Sequence, residues 1–344
     1  MSMKALSQTK RNTVTIYEVA RRAGVSIATV SRALRDSDLV TPETRRRVQA
    51  AADELNFKPS RLGRSLAEGR HAANGIVFPD LVGPYYAEVL LGYEEAAAEL
   101  GRSVLILATN GRADASAQVL ELATRVDGMV IMGRTVPDEV IREIAASGTP
   151  LVLLAREPVD DLDTIQAENT ATAADLAAHL VGHGYRNFVY LGDPDASPDV
   201  AERYAGFAQG LADHRVPAPA ATPCAFDMDA GYAAARTVLR KKKLPQAIVC
   251  ANDEVALGTQ LAAEELGLDV PGDLAVTGWD DVMTARFVGL TTVRQPMREL
   301  GGSAANWLHD RMTGAPRTAE RRRQVHPTQL VIRRSCGTHS GGTK

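Results

Sequence analysis

The sequence predicts a small all-α headpiece, a short hinge, and an α/β core of two doubly wound parallel-sheet lobes. Three observations predict it. Helix-spaced apolar residues with Ser/Thr caps fill residues 14–58. A short basic stretch occupies 59–70. From 71 to 338, apolar runs alternate with amphipathic segments, the pattern of βαβ units whose strands are buried on both faces. At 344 residues, 45% of them hydrophobic and 24% charged, the chain is long enough for two or three ordinary globular domains.

The first helix spans 15–23. Thr15 is its cap, Glu18 completes a capping box, and Ile16, Val19, Ala20 and Ala23 form one buried stripe. Gly24 breaks it, and Ser26 caps a second helix whose inward side is Val30, Ala33 and Leu34. The outward side carries Ile27, Ala28, Thr29, Ser31 and Arg32. A third helix starts at Thr41-Pro42-Glu43, with a cap, a first-turn proline and an acid near the positive end of the dipole. Its core face is Val48, Ala51, Ala52 and Leu55.

Two short helices about a glycine turn, braced by a third, form a helix-turn-helix unit. Its second helix is small enough on the surface to enter a major groove. Ile27 and Ala28 are suited to thymine methyl groups, Arg32 to guanine O6 and N7, and Thr29 and Ser31 to phosphate oxygens. Charge agrees with that reading. Residues 1–70 hold 14 Lys/Arg against 7 Asp/Glu, while the remainder holds 25 against 35. A basic headpiece on an acidic body points to a polyanion for the headpiece alone. The competing reading is a plain three-helix bundle with arginines on its surface.

The runs VTIYEVARRAGVSIATVSRAL and VTPETRRRVQAAADELNFKPSRLGRSLAEGR resemble the headpiece of the lactose-repressor (LacI-type) family of bacterial transcription regulators. The resemblance places Ile27, Ala28 and Arg32 at base-reading positions, and Thr15, Tyr17 and Ser26 complete the expected DNA-binding set. It also implies that 59–70 becomes a hinge helix on operator DNA. There Leu66 would wedge into the minor groove, Leu62 would pack against the partner hinge, and Arg61 and Arg64 would neutralise phosphates. By itself a segment this short should not hold a helix in water, and Gly63 works further against one.

The strands of the core are expected in GIVFPD (75–80), SVLILATN (103–110), GMVIMG (128–133), PLVLLA (150–155), NFVYLGD (187–193), QAIVCAND (246–253) and LAVTGWDD (274–281). Helical spacing, as in Tyr86, Val89, Leu90, Tyr93, Ala97 and Leu100, lies between them. The series divides near Asn169. Lobe one is expected at about 71–168 and 296–323, lobe two at about 169–293 and 326–334. Two such lobes resemble a periplasmic-binding-protein-like core, as does the family's core. Ligands of such folds bind at the carboxyl ends of the strands, between the lobes. The candidate effector-binding residues are therefore Asp80, Tyr85, Tyr86, Asn110, Arg134 and Arg156 from the first half. The second half offers Arg203, Phe226, Asn252, Trp279 and Asp280, with Thr109, Asp253 and Asp281 beside them. Tyr86, Phe226 and Trp279 could equally be core packing. The resemblance is closest at Arg203, in ERYAGF, and at Asp280, in GWDD.

One departure stands out. After PLVLL the family usually has an aspartate and then an arginine; here the pair is Ala155-Arg156. That predicts a ligand with fewer donating hydroxyls or with an anionic group. The segment LTTVRQPMRELG (290–301) resembles the family's return crossover, and Trp307 and Leu308 lie on the helix after it.

Other classes fare worse. No phosphate-loop, dinucleotide-fingerprint, nucleophile-elbow or HExxH motif occurs, so no enzyme and no cofactor are expected. Cys224, Cys250 and Cys336 lie far apart without metal-ligand spacing and read as reduced thiols, with no metal. No apolar run nears the ~20 residues of a membrane span, and the N-terminus lacks the apolar stretch of a secretory signal. The expectation is a cytoplasmic regulator bound to double-stranded operator DNA and controlled by a sugar or related metabolite. The polar tail lacks leucine heptads, so a homodimer rather than a tetramer is expected.

Arg32→Ala is expected to weaken binding to the preferred operator by roughly 1–3 kcal/mol and to relax specificity at one base pair. Titrations against operator and random DNA check this; equal losses on both would reduce Arg32 to a phosphate contact.

Overall fold

The structure, a computed structural model of the chain, describes residues 14–34, 39–57, 71–314 and 321–337. The hinge residues Arg61, Leu62, Arg64 and Leu66 lie outside the described residues. The chain divides into one unit ending at His71 and another beginning at Ala72.

In the first unit, α1 (Ile16–Ala23), α2 (Ile27–Ala33) and α3 (Pro42–Glu54) close on one apolar cluster centred on Val19, Val30 and Val48. The Glu18 carboxylate accepts from Thr15 N at 2.7 Å and Thr15 Oγ1 at 3.0 Å, and these bonds hold it below the usual carboxylate range. Gly24 ends α1 in the left-handed region, φ 62°, where a side chain would be strained. Thr29 N donates to Ser26 Oγ at 3.1 Å and Thr44 N to Thr41 Oγ1 at 3.3 Å, so both expected caps form.

The second unit is the two-lobed core. Lobe one is built on an all-parallel sheet of β1 (Ala73–Phe78), β2 (Ser103–Ala108), β3 (Gly128–Met132), β4 (Leu151–Leu154), β5 (Asp163–Ala167) and β11 (Arg323–His326), in the order β11-β5-β4-β3-β1-β2. Helices α4 (Pro84–Glu99) and α12 (Met297–Thr313) cover one face, α5 (Ala115–Ala123) and α6 (Asp138–Ala146) the other. In lobe two, β6 (Phe188–Leu191), β7 (Ala221–Thr222), β8 (Ala247–Cys250) and β9 (Ala275–Thr277) form a parallel sheet in the order β7-β6-β8-β9. Helices α7 (Thr170–Gly182) and α8 (Pro198–Asp213) pack on one face; α9 (Met228–Leu239), α10 (Asp253–Glu265) and α11 (Met283–Val288) pack on the other. An antiparallel pair, β10 (Thr292–Arg294) with β12 (Gln329–Val331), joins β9 through the bridges Thr277–Thr291 and Asp280–Arg294. The chain passes between lobes three times, after β5, β10 and β11.

Apolar runs did not announce every strand. DTIQA, which forms β5, is polar in sequence yet fully buried. Asp163 is satisfied there by Arg311 and Arg322 at 2.6–3.0 Å. Burial pushes its carboxyl up, but those bonds outweigh it and the net shift is downward.

The helix seams close on glycine. A Cβ at Gly301 would lie 2.0 Å from the Val89 carbonyl oxygen, and one at Gly92 would lie 2.1 Å from that of Arg298. Helices α4 and α12 therefore meet backbone to backbone. Lobe two repeats the device between α9 and α10, where a Cβ at Gly258 would sit 2.0 Å from Met228 O.

Gly301→Ala is expected to lower the thermal midpoint of the core, by about 1–3 kcal/mol or more of overpacking. The neighbouring Gly302→Ala meets only Gly92 O at 3.6 Å and gains helix propensity, so it should leave the midpoint unchanged or raise it. Calorimetry on the two variants side by side checks the pair.

Candidate functional site

Two surfaces carry the chemistry, one on each unit, and they are taken separately. On the headpiece, Thr15, Tyr17, Ser26, Ile27, Ala28 and Arg32 are exposed, and Thr29 and Ser31 are half-buried. Tyr17 is 68% exposed and Ile27 39%. The start of α2 is thus a small, partly apolar surface with one guanidinium, rigidly backed by Val30 and Ala33.

In the core, the strand ends of both lobes face a cleft of about 410 Å³. Lobe one contributes Asp80 after β1, Tyr85 and Tyr86 from the start of α4, Arg134 after β3 and Ala155 after β4. Lobe two contributes Ser197, Asp199 and Arg203 around the start of α8, then Phe226 and Asp227, Asn252 and Glu254 around the start of α10, and Asp280. Gln295, on the β10 crossover, completes the wall.

At its centre is Arg203, 6% exposed. Its Nε donates to Asn169 Oδ1 at 2.8 Å and its Nη1 to the Ala251 carbonyl at 2.8 Å. The guanidinium lies 4.8 Å from the centroid of the Trp279 ring, a cation–π contact. Asn169 is oriented in turn by donating to Asp199 at 3.2 Å and Glu202 at 3.0 Å. Asp280 accepts from Gln295 Nε2 at 2.6 Å. Burial pushes the Asp280 carboxyl up to about 7, against the opposing pull of Arg203. Burial likewise raises Asp199, opposed by Arg203, and Glu254, where Asp227 and Asp80 add to the shift.

The two lobes meet across the cleft. Arg134 of lobe one sits 4.5 Å over the Phe226 ring of lobe two. A Cβ at Gly83 of lobe one would lie 2.4 Å from Glu254 Oε2 of lobe two. Three cleft residues, Arg134, Ala155 and Asp280, hold positive φ of 62°, 50° and 118°. For non-glycine residues this is strain of roughly 1–3 kcal/mol each, held by the surroundings.

Several expected residues stand elsewhere. Arg156 turns out of the cleft, donating to Asp138 Oδ1 at 2.6 Å and to the Val136 carbonyl. Asn110 is exposed in a turn with φ 34° and does not reach the wall. Trp279 lies buried in the lobe-two core and acts on the cleft only as the floor under Arg203. Thr109 hangs from the Phe78 carbonyl at 3.4 Å. Asp253 receives Thr292 Oγ1 and Val282 N, and Asp281 pairs with Arg294 and Arg333; these bonds tie the crossover down. With Arg156 gone from the wall, Ala155 removes an acid without leaving a cation in its place. The cation on which the expectation of an anion-seeking cleft rested is therefore not on the wall. Asp199, Asp227, Glu254 and Gln295 were not anticipated. The first three occupy caps or first turns of helices, where an acid reads as a capping residue.

A helix-turn-helix headpiece and a two-lobed core around a polar, water-accessible cleft define a ligand-responsive DNA-binding regulator. The sequence profile described as "Bacterial regulatory proteins, lacI family" matches residues 15–60, and that of the "Periplasmic binding protein-like domain" matches 177–336. The HTH-type transcriptional repressor PurR of Pectobacterium carotovorum is 34% identical over 93% of this chain and 96% of its own length. The lac repressor dimer bound to operator and the anti-inducer ONPF superposes with a TM-score of 0.83 at 28% identity, covering 95% of this chain and all of the other. The regulator CelR in complex with cellobiose gives 0.71 at 27% identity, over 94% and 99%. The chain belongs to the lacI family of bacterial regulatory proteins and is a DNA-binding transcription regulator with an effector-binding core.

The Asp280 shift has a consequence for stability. In the unfolded chain this carboxyl loses its proton near 3.8, in the folded core near 7. The folded state holds the extra proton between those values, so the stabilisation is full below about 4 and lost as pH rises through about 7. Asp280→Asn is expected to remove about 1–4 kcal/mol of that decline. Ligand-free denaturant melts from pH 4 to 8 check it. A slope of the same sign from Asp253, Asp199, Glu202 and Glu254, all raised by burial, should persist.

Proposed function

We propose that this chain is a homodimeric, cytoplasmic repressor whose operator affinity is set by a hydroxyl-rich neutral or cationic small molecule, a sugar or related metabolite, in the core cleft. The observation that carries the ligand class is the balance of the wall. Asp80, Asp199, Asp227, Glu254 and Asp280 supply acceptors, against the guanidiniums of Arg134 and Arg203. Carboxyl oxygens accept bonds from vicinal hydroxyls or an ammonium whether or not the group is ionised, and those that are ionised repel an anion. Tyr86 and Phe226 add ring faces for an apolar sugar face. The cellobiose held by CelR is of this class.

A dimer fits the surface. The edge strand β2 exposes Leu105 and Ile106, and α4 exposes Leu91, at 38–45%. Two-fold pairing would present two copies of α2 to two half-sites. No described helix is long and apolar enough to cross a membrane. The protein acts by binding rather than catalysis. Ligand closing the lobes on each other, along the Arg134–Phe226 seam, biases DNA affinity by a coupling of typically about 1–3 kcal/mol.

The test is a thermal-shift screen of sugars, nucleosides, amines and sugar phosphates on the full chain, followed by operator titration with and without the hit. Ligand binding raises the midpoint by mass action. Neutral polyols or amines should bind in preference to phosphorylated analogues. Arg203→Ala should abolish the effector response of operator binding, because its partners stay desolvated and unmatched. A variant that still responds like the parent, or a hit confined to anions, would overturn the assignment.

A further inference from the structure

The end of lobe two opposite the cleft holds a second cluster of polar side chains. His179 and His183 lie one turn apart at the carboxyl end of α7, with ring centroids 4.8 Å apart. Cys336, buried in the short 3-10 turn Arg334–Cys336, comes against them from 157 positions away in sequence. His179 Nε2 is 3.4 Å from Cys336 Sγ. One donor atom from each of the three side chains lies within 4.8 Å of the others. Asn169, which orients Arg203, occupies the N-cap position at the amino end of α7. The cluster is therefore about 20 Å along the helix from the effector cleft and plays no part in it.

We propose that His179, His183 and Cys336 form a binding site for a divalent transition metal of the zinc class. The donor set carries the class. Two imidazoles and a thiolate are borderline to soft ligands that favour zinc and its neighbours, whereas magnesium and calcium demand oxygen. The spacing is right as well: residues i and i+4 of a helix project from one face, so both imidazoles meet the same distant thiol. Tetrahedral zinc, with metal–sulfur near 2.3 Å and metal–nitrogen near 2.0–2.1 Å, separates sulfur from nitrogen by about 3.5 Å. The His179–Cys336 separation of 3.4 Å already meets that requirement. The widest donor pair, at up to 4.8 Å, needs to close by on the order of 1 Å, within reach of a side-chain rotation at the half-buried imidazoles.

The surroundings orient the donors as outer-shell groups do. Thr291 Oγ1 lies 2.9 Å from the sulfur. Tyr185 stacks on His183 and donates from its hydroxyl to the Cys336 carbonyl at 3.2 Å. Gly337, at φ 110°, brings the backbone so near that a Cβ would lie 3.2 Å from the Tyr185 hydroxyl and 3.4 Å from His183 Nδ1. Three protein ligands leave a coordination position for water or an exogenous group. A bound ion would staple the last described turn to α7 and, through Thr291, to the start of β10. The competing explanation is a hydrogen-bonded packing cluster that needs no ion.

The experiment titrates reduced, chelator-stripped full-length protein first with Co2+ and then with Zn2+. The expected result is one Co2+ per chain with a near-ultraviolet thiolate-to-cobalt band and intense visible transitions, both erased by Zn2+. Cys336→Ser should lose the thiolate band. His183→Asn should weaken Co2+ binding by more than the roughly 10–100-fold that loss of an outer-shell partner costs. His183 is half-buried, so this variant keeps the test decisive if Cys336→Ser fails to fold, as circular dichroism would report. Absence of the thiolate band in the parent protein overturns the proposal. So does Co2+ affinity that is unchanged in His179→Asn/His183→Asn.

Discussion

A single buried cation organises the core. Arg203 lies almost wholly out of water, where an unpaired charge would be prohibitively expensive. It is tolerated because an amide oxygen, a backbone carbonyl and an indole face meet it, and because the carboxyl groups of Asp199 and Asp280 lie close enough to feel its charge. The dependence is mutual. Burial drives both carboxyls up, and Arg203 is the opposing influence on each. The network presents acceptors already aimed and desolvated, which is the condition for polar groups to discriminate sharply.

The scaffold that holds the network is tight at its helix seams and strained at the rim of the cleft. Glycine seams draw α4 onto α12 and α9 onto α10 until backbone meets backbone. Strand ends thus open into the cleft from sheets covered by helix pairs that are packed backbone to backbone. At the rim, Arg134, Ala155 and Asp280 hold left-handed conformations that only a well-packed surround can impose. Tight seams and a strained rim suit two lobes that move as bodies. The cross-cleft contacts, Arg134 on Phe226 and Gly83 against Glu254, are places where the two lobes meet over the cleft.

Family membership accounts for the plan of the chain, whereas its effector preference rests on individual substitutions. The Ala155-Arg156 pair shows why a motif has to be followed to its side chains. Asp138 draws Arg156 away from the wall, so the apparent gain of positive charge does not occur and the cleft keeps an excess of acids. The electrostatic character of a cleft is a property of which groups face it, and neighbours on the far side of a strand decide that.

By itself the sequence determined what local physics controls. Apolar periodicity marked the helices and most strands, Thr15, Ser26 and Thr41 marked helix starts, and Gly24 marked a left-handed turn. Strand-then-helix alternation dictated two doubly wound lobes with strand ends facing a common crevice. What only the tertiary structure decided depends on partners remote in sequence. β5 is polar, and it is buried only because Arg311 and Arg322 arrive from about 150 residues away to satisfy Asp163. Asp199, Asp227 and Glu254 look like ordinary helix-start acids until the lobes bring them to one wall. Trp279 and Arg156 follow strands as cleft residues should, yet packing sends one to the floor and the other outward. His179 and His183 stand at readable i, i+4 spacing, but Cys336 joins them only because a return of the chain delivers it from 157 positions away. Backbone hydrogen bonding within helices and turns is local, so sequence reports it; the direction of a side chain at the end of a strand is set by whatever packs against it.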